Sequence, residues 1–410
     1  MTQPLHIRLA RYLPGRRGKN ASMTPGQLQG TQSQNKLTPR IFAKKVIRRI
    51  LGMIFGRKAR VNISAVSEMV DAFMSAGFNY FDTAHGYLGG ESERAIRECL
   101  VKRYPRDSYI LSDKLSYNFI SEEKDIMPLF ESQLKACGVD YFDFYMLHGV
   151  SKHRNEIYRK CRAFENIIEL KRAGQVRHIG ISFHDSPELL AEILTLHPEI
   201  EFVQIQLNYS DIDSPVIQAG KVYEVCEKFG KPVFVMEPVK GGVLANLPDE
   251  AKRILDGLHG GSYASYAIRY AKSFPNVVLV LSGMNDINMV RDNTAFMKDF
   301  QPLSERELEA LCKVKEIIRK QNAIQCTSCR YCIDVCPKDI PIPEIMGCIN
   351  NKMQYNISGK ASVGFGFYYV VHTKNHGRAS DCIKCGKCER ECPQHLPIRE
   401  LLAKAAGMFE

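Results

Sequence analysis

Two sets of residues in this 410-residue chain have the types and spacing to do chemistry. The first is Cys326-Thr-Ser-Cys329-Arg-Tyr-Cys332-Ile-Asp-Val-Cys336-Pro337, repeated in form as Cys382-Ile-Lys-Cys385-Gly-Lys-Cys388-Glu-Arg-Glu-Cys392-Pro393. Both read C-x2-C-x2-C-x3-C-P. Such close spacing lets three thiolates cap one face of an iron–sulfur cubane, while the proline turns the fourth thiolate away. Zinc is the competing reading, but its sites use paired C-x2-4-C units and tetrahedral closure, not a three-plus-one spacing.

The second set consists of polar groups that end apolar runs. The stretch 78–87, Phe-Asn-Tyr-Phe-Asp-Thr-Ala-His-Gly-Tyr, closes an aromatic run at Asp82 and reaches Tyr87 five residues on. Two later runs, Tyr-Ile-Leu-Ser-Asp-Lys and Asp-Phe-Tyr-Met-Leu-His, end at Lys114 and His148. A phenol with an ordinary pKa near 10 is a poor acid at neutral pH, and an adjacent ammonium that stabilises phenolate lowers that value. Lys114 can supply the ammonium, Asp82 can hold it charged and oriented, and His148 can hydrogen-bond a substrate oxygen. An isolated Asp caps helices, and an isolated Lys or His at a strand end is commonly structural. Four in register point to proton transfer.

These groups need strands to deliver them. Apolar runs at 78–84, 109–115, 141–148, 176–182, 202–209, 232–238 and 277–284 alternate with amphipathic stretches such as 64–76, 125–137, 187–196 and 262–273. Parallel strands require helical crossovers, so the alternation predicts an α/β fold, a (β/α)8 TIM barrel, with its chemistry at the C-terminal strand ends. Seven strands are clear, and the first of the eight must come from 51–55. After residue 320 the composition shifts to Cys, Pro and Lys. The expected organisation is a poorly ordered extension over 1–60, a barrel over 61–320 and a small, mainly helical iron–sulfur domain over 321–410.

Charge and composition exclude several functions. Of the 56 Lys and Arg, 14 fall in residues 1–60, where there is no Asp or Glu; the other 350 residues carry 42 bases against 45 acids. The folded body is therefore not a nucleic-acid binder by charge. No run of 18 apolar residues appears, which argues against a transmembrane segment. The six scattered cysteines lack a secreted-domain spacing, so reduced thiols in a cytoplasmic protein are expected. Residues 39–58 pair apolar positions with bases at helical spacing, and three readings compete: a membrane-surface or anionic-partner contact, a targeting peptide, or an extension without a role.

The motif Asp-Thr-Ala-x-x-Tyr at 82–87, followed by Gly-Gly-Glu-Ser-Glu at 89–93 and completed by Lys114 and His148, resembles the aldo-keto reductase signature over roughly residues 62–300. The resemblance implies NADPH or NADH lying across the strand ends, a hydride passing to a small aldehyde or ketone, and Tyr87 donating the proton. It further implies that Ser182 and Gln204 grip the nicotinamide amide, that Ser282, Gly283 and Asn293 lie along the pyrophosphate and adenosine, and that Lys240 is a cofactor contact. Met236 stands where many members stack an aromatic on nicotinamide, and 282–293 lacks the bases that would select NADPH over NADH. The cysteine motifs resemble two-cluster ferredoxins, specifically a helical type, since a helix-like stretch, 343–352, lies in the 45-residue insert. That pattern implies one [4Fe–4S] centre on Cys326, Cys329, Cys332 and Cys392 and another on Cys382, Cys385, Cys388 and Cys336.

A hydride carries two electrons, whereas a cubane takes one at a time, so a flavin or an electron-transfer protein partner would have to split the pair. No flavin motif is visible in the sequence. The leading expectation is a carbonyl reductase with an attached electron-transfer domain. Its alternative is an electron-transfer or redox-sensing protein whose barrel binds nicotinamide without carbonyl turnover.

Overall fold

The computed structural model describes residues 61–214, 217–320, 324, 326, 330–357, 365–392 and 394–410. The expected first strand at 51–55 and the basic stretch 39–58 lie outside the described residues.

Helix α1 (Ile63–Ser75) begins where Asn62 Oδ1 accepts the Ala65 N–H at 3.2 Å, and it buries Val66, Met69, Val70 and Phe73, one apolar face at helical spacing. Seven parallel strands follow: β1 (Tyr80–Asp82), β2 (Ile110–Ser116), β3 (Phe142–Val150), β4 (Val176–Phe183), β5 (Phe202–Gln206), β6 (Val233–Met236) and β7 (Val277–Val280). Each pairs with its sequence neighbour, in the order β1 to β7. The crossovers are α2 (Glu91–Ile96), α3 (Ile126–Cys137), α4 (Lys152–Lys160) with α5 (Ala163–Arg172), α6 (Pro187–Leu196), α7 (Ala219–Lys228), and α8 (Asp249–Asp256) with α9 (Tyr263–Lys272). After β7, α10 (Ile287–Lys298) packs against α1, which brings the two ends of the helical ring together and makes the architecture a (β/α)8 barrel. Helix α11 (Glu305–Lys320) then covers α8, with Leu244, Leu255, Tyr266 and Leu311 between them.

Inside the barrel Tyr80, Phe144, Met146, Phe202, Phe234, Leu279 and Leu281 form the floor, with the Phe202 and Phe234 rings stacked at 4.4 Å. This packed floor makes the barrel a solid core and leaves only its upper rim for a site. The opposite strand faces meet the helices through Leu111, Leu147, Ile181, Val203 and Val235.

The cysteine-rich half is helical: α12 (Tyr331–Asp334), α13 (Ile342–Ile357), α14 (Phe365–Thr373), α15 (Lys387–Arg390) and α16 (Ile398–Phe409). Its own core joins Ile340, Ile345, Met346, Ile349, Tyr369 and Leu402 to the buried Cys332, Cys388 and Cys392. The helix-like insert stretch is thus the front of α13. Among the described residues no helix is long and apolar enough to cross a membrane.

Candidate active site

The strand register brings the four polar strand-end groups together. Lys114, completely buried in β2, donates from Nζ to Asp82 Oδ2 and to the Thr83 carbonyl, both at 2.6 Å. Its ammonium lies 5.0 Å from the centre of the Tyr87 ring. The Tyr87 hydroxyl is 3.4 Å from His148 Nε2, and the two rings meet edge-on at 5.5 Å. His148 Nδ1 is 2.7 Å from Ser116 Oγ. When Ser116 donates to Nδ1, Nε2 carries the proton and faces the phenol as a donor.

Other side chains hold these groups in place. Tyr158 of α4 is fully buried; its hydroxyl accepts the N–H groups of Tyr117 and His148, both at 3.1 Å, and lies 2.8 Å from the Leu115 carbonyl. It thereby bolts the end of β2 to the end of β3. Beneath them Asp113 accepts the Lys114 N–H at 2.8 Å and the Gln133 amide at 3.0 Å. Burial, reinforced by Glu93, pushes the Asp113 carboxyl well above its usual range. Glu93 itself sits 3.1 Å from His85 Nδ1, and that hydrogen bond raises the His85 pKa against the opposing effect of burial.

The expected cofactor contacts divide into two patches. On β4 to β6, Ser182 Oγ lies 3.4 Å from Gln204 Nε2 and 3.9 Å from Met236 Sδ, while the buried Gln204 Oε1 has no hydrogen-bond partner among the described residues. On β7 and α10, Asn293 Nδ2 donates to Ser282 Oγ at 3.1 Å, and both side chains are buried; Gly283 follows between them in sequence. Lys240 is already engaged. It is buried, paired with Asp211, and donates at 3.2 Å to Asn351 Oδ1 of α13, in the other half of the molecule.

That last contact is one of several that the residues of the barrel alone did not signal. The Tyr368 hydroxyl of α14 donates to Gln206 Oε1, at the end of β5, at 2.6 Å and lies 3.5 Å from His184 Nδ1, just past β4. The cysteine-rich half therefore stands over the barrel mouth. Gln206 and Tyr368 are 162 positions apart, and nothing in local pattern pairs them.

Cys326, Cys332 and Cys392 line one small cavity, and Cys336, Cys382, Cys385 and Cys388 line a second. Cys329 lies outside the described residues. Both cavities are otherwise walled mainly by apolar side chains, Ile342 being shared, so each gathers cysteines, the donor type that suits a cubane, in a dry surround, although among the described residues no three His, Cys, Asp or Glu side chains are grouped as a metal site.

Comparison with known proteins agrees with this division. The family model described as aldo/keto reductase matches residues 50–316, and one for a 4Fe-4S dicluster domain matches 325–396. An aldo-keto reductase of Mycolicibacterium smegmatis is 28% identical over 213 residues, covering 51% of this chain and 71% of the relative. Among solved structures, the holo form of an aldo-keto reductase from Bacillus halodurans superposes with a TM-score of 0.53 at 24% identity, covering 63% of this chain and 89% of that one. An aldo-keto reductase from Klebsiella pneumoniae in complex with NADPH gives a TM-score of 0.51 at 20% identity, covering 62% and 85%. At these identities the two structures speak to the fold.

Proposed function

Because the chain belongs to the aldo/keto reductase family and carries a 4Fe-4S dicluster domain after its barrel, we propose that this oxidoreductase reduces an aldehyde or ketone with NADPH or NADH. The observation that carries the reading is the convergence of Asp82, Tyr87, Lys114 and His148 at one mouth.

When bound, the reduced nicotinamide supplies the hydride. The chain's own residues position it: the free Gln204 Oε1 accepts from the carboxamide amine, and Ser182 Oγ holds the carboxamide oxygen. Ser282 and Asn293 serve the pyrophosphate and adenosine end. The substrate oxygen sits between Tyr87 and His148, where His148 Nε2–H donates to it and polarises the carbonyl. As negative charge develops on that oxygen, Tyr87 passes its proton across. Lys114 stabilises the phenolate left behind, and Asp82 pairs with Lys114 and orients it in a fully buried position. Water then returns a proton to Tyr87.

Residues 61–320 form the reductase unit in this reading and 321–410 the electron-carrying unit. Cys326, Cys329, Cys332 and Cys392 hold one [4Fe–4S] centre, and Cys336, Cys382, Cys385 and Cys388 the other, each exchanging single electrons with a protein partner. Replacing Tyr87 with Phe tests the mechanism. Carbonyl reduction should fall by about 10²–10⁴-fold while NADPH affinity, read by fluorescence titration, holds. Unchanged turnover would eliminate the tyrosine as the acid.

A further inference from the structure

A cavity of about 330 Å³ lies between the two halves, walled by His184 and Gln206 of the barrel and by Arg330, Tyr368, His372 and His376 of the iron–sulfur half. We propose that this cleft is a second substrate subsite, taking uncharged hydroxyl-bearing groups next to the carbonyl, and that Tyr368 and His372 decide which compounds enter. The proposal rests on the reductase reading of Tyr87.

Position is the first argument. His184 Nε2 is 3.3 Å from Ser182 Oγ, so the cleft wall touches the patch assigned to nicotinamide. On its other side Tyr368 lies within electrostatic reach of Arg154, whose guanidinium donates to the Gly149 carbonyl at 3.0 Å, one residue past His148.

Rigidity is the second. The Tyr368 hydroxyl is fixed by Gln206 Oε1, and Gln206 is fixed in turn by donating from Nε2 to Asp211 at 2.9 Å. Burial raises the Tyr368 pKa, so the phenol keeps its proton and its hydrogen bond. Its ring lies nearly parallel to that of His372, with centroids 6.4 Å apart.

Chemistry is the third. His372 lines the cavity, and its buried Nε2 has no hydrogen-bond partner among the described residues. A buried polar atom left unpaired is costly, and a ligand hydroxyl would satisfy it once the ring turned that nitrogen towards the cleft. Of the charged groups lining the cleft, Arg330 pairs with Glu344, Asp339 lies 2.6 Å from His376, and Asp185 accepts the Lys152 and Ser186 N–H groups, so carboxylates outnumber the one guanidinium. A neutral, hydrogen-bonding ligand suits such a lining better than an anion does.

The test uses the full-length, cluster-loaded protein with NADPH and two four-carbon aldehydes, D-erythrose and butanal. Wild type should prefer erythrose in kcat/KM. In Tyr368→Phe and His372→Leu the erythrose-to-butanal ratio should fall about tenfold, chiefly through KM, with iron content and NADPH quenching retained. A second arm needs no turnover: saturation-transfer NMR with erythritol should give a signal for wild type that His372→Leu loses. An unchanged ratio together with an unchanged erythritol signal overturns the subsite. Failure of wild type to reduce either aldehyde overturns the reductase reading instead, and the erythritol arm still decides the cleft.

Discussion

Lys114 and Asp82 are both buried, and each is tolerable only because of the other. Lys114→Met strands the Asp82 carboxylate and should destabilise the protein by about 3–5 kcal/mol in urea unfolding, as well as stopping reduction. Tyr87→Phe, in contrast, should leave the urea midpoint almost unmoved, so the pair of variants separates structural from chemical loss. His85 provides a pH signature. Its raised pKa means that its bond to Glu93 stabilises the fold fully below the unfolded value near 6.5 and is lost as pH rises through the higher folded value. Urea midpoints should decline across that window in wild type, and His85→Gln should flatten the slope. Asp82, Lys114 and His148 were legible as neighbours because each ends a short apolar run, Tyr87 follows the first of them by five residues, and strand ends of a barrel face one mouth. Tyr368 and Asn351 were not, since their partners lie on the other half of the molecule and no periodicity encodes such a contact.

At the level of elements, β4 and β5 set the position of the Ser182 and Gln204 patch proposed for nicotinamide. Ser182 is level with Gln204 in the ladder, and Gly180 with Phe202. A Cβ on Gly180 would lie 2.5 Å from the Phe202 ring, which stacks on Phe234 and cannot retreat without disturbing the barrel floor. Gly180→Ala should therefore cost about 1–3 kcal/mol and weaken NADPH binding, by urea midpoint and fluorescence titration respectively. A normal midpoint would mean that the floor can repack. The seven strands were readable as apolar runs between helices, because buried parallel strands are apolar on both faces. Helix α4 was missed: Lys-His-Arg-Asn-Glu-Ile-Tyr-Arg-Lys shows almost no apolar face, yet its Tyr158 ties β2 to β3. No helix was expected directly after the 277–284 run, whereas α10 begins at Ile287, capped by Asp286 through the N–H groups of Asn288 and Met289. The cap was visible in sequence; what hid it was the strand signal immediately before.

Across the whole molecule, the two halves meet over the barrel mouth through Tyr368 with Gln206 and Asn351 with Lys240. Composition separated them cleanly in sequence, and that clean division concealed their interdependence. The iron–sulfur half is small, and its core is built around the cysteines themselves, with Cys332, Cys388 and Cys392 packed among Ile345, Ile349 and Leu402. A unit of this size ordinarily needs metal ligation to stay folded. Its loss would then be felt on the barrel: without ordered α13 and α14, Lys240 loses Asn351, and Gln206 and His184 lose Tyr368. Intact protein purified without oxygen should contain about eight iron and eight sulfide per chain. Chelating that iron should speed hydrogen exchange in 342–357 and 365–373, and also at 184–186, 206–211 and 240–245 on the barrel, while 63–75, on the barrel's outer ring, keeps its protection. Should the mouth segments exchange at the same rate with and without iron, the clusters would not support the site, and the contacts across the mouth would be incidental to it.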